Sequence, residues 1–422
     1  MSIVISEFGS IKKASDYELP QDSFSEVFVS DKIFNSIKDI AFAYANDLLF
    51  TFSVQKGKEQ IKVKNYVGVI QTADNVQIEI LPKSTASSSK EARKIFLKML
   101  QRFHSYQSLS HAHLAISHLP LFEIFVRVFL DELDKLFILG LGRNYEKIEG
   151  NEVYVKGKVL VNENIRQNLF RTDTVFISYD AFLHDIAQNR ILKTCLQHLD
   201  TYTFTSHTKR RIWQCLSVFE EVSSCKNIYD DLMKSQVNTP IFERYDKVLH
   251  WSKIFLNHQS FLPFSGNHLQ IALLFPMEAL FENYVGKLFQ KYTSNDFIVR
   301  LQDREKHLID KHIEKSRFRL IPDIVLEKIN STPKEVLIFD TKWKLIDNSR
   351  PKQNYSIEQT DLYQMYAYGK KYGSQKLFLI YPANEDFMNP LEVFDYEDHM
   401  TLRVLPFNLL NDGEEELRKI ML

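Results

Sequence analysis

The stretch Arg319–Leu345, RLIPDIVLEKINSTPKEVLIFDTKWKL, decides how this chain is read. Two runs rich in Ile, Val, Leu and Phe flank the turn-forming segment Asn330-Ser331-Thr332-Pro333, which predicts two strands joined by a short loop. Asp323 falls on the first strand and Asp340 on the second. Strand side chains alternate between faces, so Asp340 and Lys342 share a face about 6.6 Å apart. Both are charged where a buried strand would carry apolar groups. Two carboxylates converging at a sheet surface can hold a hard divalent cation such as Mg²⁺, which prefers oxygen ligands and keeps several waters. A nearby ammonium can orient an attacking water or neutralise charge building on a phosphate. An exposed edge hairpin with scattered charges also explains a bare D…DxK pattern, so the neighbouring sequence has to decide.

Upstream, Pro276 suits the start of a helix because its missing N–H would be unpaired there. Met277, Leu280, Phe281, Tyr284, Val285, Leu288 and Phe289 make its apolar stripe, with Glu278 and Glu282 beside it. Acids in that position equally mark the boundary with solvent. Between Phe297 and Leu320, basic residues outnumber acidic ones; such a segment can meet phosphate or be a solvated strand pair. Downstream, Gln359–Lys371 reads as a helix with Gln364 and Tyr368 one turn apart on one face, and Leu377–Tyr381 as a buried strand. Asn411-Asp412 can cap a final helix.

The whole chain has 422 residues, 44% of them apolar and 13% aromatic, enough for two or three domains with real cores. A formal net charge of -1 excludes a uniformly basic nucleic-acid coat, so any DNA contact must be a local patch or come through a partner. Cys195, Cys215 and Cys225 lack CxxC spacing, which argues against a disulfide framework or a zinc ribbon. The first residues lack the pattern of a signal peptide. Leu119–Gly142 carries too many charges to span a bilayer and reads as an amphipathic helix. We therefore expect a cytoplasmic protein with no membrane contact.

Three segments follow from the pattern. Residues 1–90 read as a β-rich module, with helical spacing at Ile33–Leu49, alternation at Lys62–Leu81 and a hairpin turn at Asp74-Asn75, closing in the polar stretch Lys83–Lys90. Residues 91–266 read as mainly helical, at 91–104, 120–139, 186–203, 207–221 and 241–259. They are interrupted by Asn144–Asn168, where alternating Val153, Val155, Val159 and Val161 predict a hairpin or extended finger bearing Lys147, Lys156, Lys158 and Arg166. A solvated β excursion explains that finger as well as an element reaching into a partner does. His104, His111, His113 and His118 invite a metal assignment, but without Cys or an HExxH helix a polar surface loop is the better reading. Residues 267–422 hold the acids and the lysine, giving an α+β multidomain chain.

Pro322-Asp323, Asp340, Lys342 and the later Gln364 and Tyr368 resemble the PD-(D/E)xK nuclease superfamily, with QxxxY similar to its RecB-like branch. Such nucleases often carry an acid on a helix before the sheet, which selects Glu282 over Glu278. A second resemblance covers almost the full chain. The stretches at 67–84, 119–141, 155–168 (VKGKVLVNENIRQN) and 179–199 (with QNRILK) resemble McrC, the nuclease subunit of McrBC-type modification-dependent restriction systems. The resemblance implies a C-terminal PD-(D/E)xK nuclease α/β core that hydrolyses a DNA phosphodiester with Mg²⁺, Mn²⁺ being an acceptable substitute. Asp323, Asp340 and Glu282 would hold the metal, Lys342 would position water, and Gln364 and Tyr368 would support the substrate or a bound water. It further implies a partner, an McrB-like AAA+ GTPase ring that recognises double-stranded modified DNA bearing 5-methylcytosine, docked through the N-terminal module and the finger. No GxxxxGK[ST] loop occurs in the chain, as that division of labour requires. Two rivals are a non-catalytic AAA+ adaptor and a stand-alone RecB-like repair nuclease.

Overall fold

Alternating apolar residues of the C-terminal third assemble into one six-stranded sheet, in the order Phe297–Leu301, Ile324–Lys328, Val336–Thr341, Lys376–Pro382, Thr401–Phe407, Phe394–Asp395. The computed structural model describes residues 2–43, 49–72, 76–83, 88–102, 109, 114–171, 173–235, 240–256 and 269–421. Val336–Thr341 pairs antiparallel with Ile324–Lys328 and parallel with Lys376–Pro382. A parallel step needs a crossover, and the helix Gln359–Tyr372 lies within it. Both faces of the sheet are covered: Ile338, Leu377 and Leu379 pack with Met365 and Tyr368 of that helix, while Phe339 meets Phe289 of the helix Met277–Tyr292 at 4.8 Å between ring centroids. Strands buried on both faces explain why the apolar runs here are nearly continuous.

The strands expected around Asn330 are present, with bounds that matter for the acids. Asp323 immediately precedes Ile324–Lys328, and Lys342 immediately follows Val336–Thr341. Both side chains therefore stand at strand ends, where the ladder stops and the sheet edge opens. The basic segment before Asp323 forms the strand Phe297–Leu301 and a separate exposed hairpin, His307–His312 with Lys315–Arg319.

Residues 2–81 build one four-stranded sheet, ordered Glu26–Val29, Ser10–Lys13, Lys58–Val63, Phe50–Gln55, and three strands of another, ordered Ser2–Ser6, Gln77–Leu81, Tyr66–Thr72, Leu269–Pro276, whose fourth strand comes from far along the chain. The strand Leu269–Pro276 runs straight into the helix Met277–Tyr292. Residues 1–121 and 260–422 consequently form one compact unit, and residues 122–259 a second. The chain thus divides elsewhere than at 90 and 266. Pairing of Leu269–Pro276 with Tyr66–Thr72, distant in sequence, outweighs the polar stretch after Lys83. Gly68, with φ +136, permits that pairing: a Cβ there would lie 1.9 Å from the carbonyl oxygen of Leu273. The predicted turn at Asp74-Asn75 and Ser84–Ser87 of the expected linker lie outside the described residues.

The second unit is helical as expected, with Leu121–Ile138, Ala187–Asp200, Ser206–Val218 and Asp246–Leu256 packed around Phe125, Phe129, Trp251 and Phe255. Its β element departs from the predicted hairpin. Asn144–Glu152 pairs with Val175–Leu183 rather than with the next valines, and Val161–Asn168 is a helix. Val161 and Ile165 recur at helical spacing once the strand Lys158–Val159 ends, which the alternation of the earlier valines masked. Asn189, from the QNRILK stretch, is buried and donates to the carbonyls of His184 (2.7 Å) and Gly142 (3.1 Å), so its role is to fasten the helix start to the preceding loop. His104, His111 and His113 lie outside the described residues. No described helix is long and apolar enough to cross a membrane.

Candidate active site

A strand end and the crossover helix bring Asp340, Lys342, Gln364 and Tyr368 into one contact network, to which Asp323 and Glu282 are coupled through charge. Asp340 is the innermost, its side chain 2% exposed, and Lys342 Nζ lies 2.5 Å from its Oδ2. That contact is an ion pair. Lys342 also donates to Gln364 Oε1 at 3.0 Å; Gln364 Nε2 donates to the Tyr368 hydroxyl at 2.7 Å; and that hydroxyl donates to the carbonyl of Ile321 at 2.9 Å. The helical spacing of Gln364 and Tyr368 therefore has a mechanical use, linking the lysine to the backbone just ahead of Pro322-Asp323.

Asp323 is held from the neighbouring strand. Thr341 donates both its backbone N–H and its hydroxyl to Asp323 Oδ2, each at 2.7 Å. Glu282 accepts from Gln302 Nε2 at 2.6 Å. Glu278 turns to the N-terminal module and accepts from Asn65 at 2.6 Å, so only Glu282 of the two helix acids belongs to the network. Glu282, Asp323 and Lys342 each retain some solvent exposure, whereas Asp340 is buried.

The charges are strongly interdependent. Burial, reinforced by the Asp323 carboxylate, pushes Asp340 up to about 7. Burial and the Glu282 carboxylate push Asp323 up to about 6. Glu282 is raised by burial and by Asp340. Burial alone would lower the Lys342 ammonium, but Asp340 and Asp323 more than offset it and its pKa is raised. Three acids crowded beside one lysine form a site of excess negative charge, which a divalent cation would relieve.

Among the described residues no three His, Cys, Asp or Glu side chains converge as a preformed ligand set. The donors nonetheless suit Mg²⁺: Asp340, Asp323 and Glu282 offer only carboxylate oxygens, and this ion needs only one or two protein carboxylates besides water.

Several participants escaped the sequence reading. Lys344 continues the alternation Asp340, Lys342, Lys344 and pairs with Asp361 at 3.1 Å and Glu358 at 3.0 Å. Asp361 also accepts from Tyr381 at 3.2 Å. The period of two could have revealed Lys344. Thr341 and Gln302 carry no such signal, since a polar residue at a strand end is ordinary. Nor does Glu7, a buried carboxyl that accepts from Trp343 Nε1 at 2.8 Å and from the Lys83 N–H at 2.9 Å, and that burial pushes up to about 8. Trp343 packs on Phe281 at 5.3 Å, so Glu7 braces the residues adjoining both Lys342 and Glu282.

A family model described as McrBC 5-methylcytosine restriction system component matches residues 61–382, well over half of the chain. No curated protein sequence matches. Among solved structures, the chain resembles one chain of a refined half-complex from a tetradecameric assembly of Thermococcus gammatolerans McrB AAA+ hexamers with bound McrC. That match has 16% identity and a TM-score of 0.68, covering 100% of this chain and 99% of that one. A chain of the cryo-EM structure of the Thermococcus gammatolerans McrBC complex matches at 19% identity with a TM-score of 0.45, over 70% of this chain and 89% of that one. At 16% identity the first likeness speaks for a shared fold.

Proposed function

The chain belongs to the McrBC 5-methylcytosine restriction system family, and from that premise we propose that it is the family's nuclease subunit, with a PD-(D/E)xK site. On this reading it is a Mg²⁺-dependent endodeoxyribonuclease that cuts double-stranded DNA carrying modified cytosine, working with an McrB-like AAA+ GTPase ring. The observation that carries the reading is the single network joining Asp340, Lys342, Gln364 and Tyr368, with Asp323 and Glu282 coupled to it through charge. An exposed hairpin with scattered charges would have no reason to bury Asp340 or to anchor its lysine through a helix.

Asp323 and Asp340 would hold the divalent cation, with Glu282 as the outer acid. When bound, the ion supplies Lewis acidity at the phosphoryl oxygen and lowers the pKa of a water. The chain's own residues do the remaining work. Lys342 has three N–H donors, of which Asp340 and Gln364 engage two; the third has no partner among the described residues and can serve the attacking water or a non-bridging phosphate oxygen. Gln364, tied to Tyr368, stops the long lysine side chain from wandering, so less entropy is lost on reaching the aligned geometry. Thr341 turns the Asp323 carboxylate by occupying one oxygen twice, leaving Oδ1 for a ligand. Nothing in this arrangement reads bases, so selectivity for modified DNA rests with the partner.

The partner surface on this reading includes the helix Val161–Asn168 and the loop before it. Val153, Tyr154, Val155, Val161, Ile165 and Leu169 are exposed apolar side chains there, a composition that marks protein contacts rather than phosphate contacts. The test is a two-component assay with the cognate GTPase, Mg²⁺ and methylated duplex, comparing the native chain with Asp340→Ala. Loss of cleavage with GTPase stimulation retained is the expected result. Cleavage that persists unchanged in the variant removes the site assignment, and a native chain that stimulates without cutting makes it an adaptor.

A further inference from the structure

Ahead of Asp323, the exposed hairpin His307–Arg319 is left without a role by the catalytic network. Its second strand reads Lys315, Ser316, Arg317, Phe318, Arg319, and every residue of it is exposed. The register sets His307 opposite Arg319, Ile309 opposite Arg317 and, past a bulge, His312 opposite Lys315. Residues two apart on a strand share a face, which sets Lys315 and Arg317 about 6.6 Å apart; Arg319 follows Phe318, whose φ of +56 turns the backbone between them. No ion pair occupies any of the three among the described residues, and elsewhere on the same surface cations are paired. Their one acidic neighbour on the first strand, Asp310, is taken up by Lys371 at 2.8 Å.

The hairpin is also fixed in place. Leu320 N–H donates to the Lys306 carbonyl at 2.9 Å and closes its base. Lys371, and Tyr372 through Asp303 at 3.0 Å, fasten it to the helix that carries Gln364 and Tyr368. The chain leaving Arg319 passes Ile321, held by Tyr368, and arrives at Asp323. A cationic strand fastened at its base thus leads into the candidate active site. The three unpaired cations stand among the exposed apolar side chains Ile313 and Phe318; their charge matches a polyanion whose charges repeat along a line, and each strand of a DNA duplex presents one phosphate per about 3.4 Å of axis.

We propose that Lys315, Arg317 and Arg319 grip the phosphate backbone of duplex DNA and deliver it to Asp323 and Asp340. This rests on the reading of that site as a DNA nuclease, and it adds a binding element that the nuclease residues do not contain. Contacts of this kind are independent of base sequence.

The test measures duplex binding by the full chain in EDTA, where no cleavage can occur, by fluorescence anisotropy between about 50 and 200 mM salt. The combined Lys315→Ala, Arg317→Ala, Arg319→Ala variant should bind roughly 10- to 100-fold more weakly at the low end of that range, and its plot of log K against log salt should flatten by about 2 to 3. The double variant Arg317→Lys, Arg319→Lys should keep the native slope, because charge rather than shape is used. Since the replaced side chains are exposed and unpaired, the thermal melt of the triple variant should overlay the native one. An unchanged salt slope in the triple variant overturns the proposal, and does so conclusively if stimulation of the GTPase falls instead, which would make the hairpin a protein contact. Failure of the nuclease reading appears separately, as absent cation-dependent cleavage with the binding difference intact.

Discussion

The segment Val161–Phe170 and the segment Asp340–Tyr368 break the ordinary rule of burial in opposite directions. In the first, the inward-facing residues are two asparagines, Asn164 and Asn168. Asn164 Oδ1 accepts from the Phe176 N–H at 2.9 Å and from Asn168 Nδ2 at 2.8 Å, so the asparagines dock the helix, while Ile165 and Phe170 are 57% and 94% exposed. In the second, the charges are inside: Asp340 is buried, and Lys342 is tethered to a helix. A fold gains nothing from either inversion by itself, since exposed apolar surface and buried charge both cost free energy. Each becomes intelligible if something outside the chain completes it, a protein surface for the first and a cation with a phosphate for the second. The two regions also differ in tolerance. Changes at the apolar segment should alter association and leave stability alone, whereas changes at the charged segment should alter chemistry and stability together.

The sharpest way to break this contrast is Lys342→Met. Cleavage should fall by about 10²–10³-fold, the scale of removing a preorganised charge from a transition state, with duplex binding in EDTA preserved. A variant that still cuts at the native rate would take the charged segment out of the chemistry. Next in size, the combined Val161→Asp, Ile165→Asp variant should weaken binding to the GTPase partner by roughly 30-fold or more, as loss of a contact hot spot does. Its stability should stay within about 0.5 kcal/mol of native. Equal affinity by titration calorimetry would leave that exposed surface without a purpose.

Gln364→Leu sharpens the comparison from within the site. It releases Lys342 and leaves the Tyr368 hydroxyl short of a donor, so kcat should fall about tenfold with KM little changed, and stability should drop by about 1 kcal/mol. A change confined to KM would mean that Gln364 contacts substrate instead of holding the lysine.

A further effect, read in stability and not in cleavage, concerns Glu7. Its carboxyl ordinarily titrates near 4.5 but near 8 when buried beside Trp343. Between those values the unfolded chain releases a proton that the folded chain keeps, so native stability is full below the lower value and declines by roughly 1.4 kcal/mol per pH unit up to the upper one. Glu7→Gln keeps both accepted hydrogen bonds and removes the titration. Its melting temperature should match the native chain near the acid end and exceed it near the alkaline end. Parallel melting curves across that range would show that Glu7 is ionised in the folded state.

Periodicity made much of this legible. The helices of the second unit, the strands around Asn330, and the helix carrying Gln364 and Tyr368 follow from spacings of 3.6 and 2, which are local properties of the backbone. The same spacing set Asp340 and Lys342 on one face. It failed where two periods overlap, at Val159–Ile165, because four alternating valines mask the start of a helix whose buried side is asparagine. The division of the chain was also out of reach, since it depends on Leu269–Pro276 crossing to a partner strand near residue 70.

What the amino-acid order determined, then, is which residues are able to meet: two acids and a lysine at the ends of adjacent strands, because pleat and turn chemistry act over a few residues. Tertiary structure alone decided which of them do meet and how they are held. Gln302 holds Glu282, Thr341 orients Asp323, Gln364 restrains Lys342, and Glu7 reaches Trp343 from the far end of the chain. Those choices depend on hydrogen bonds between side chains brought close only by packing, and no spacing along the chain encodes them.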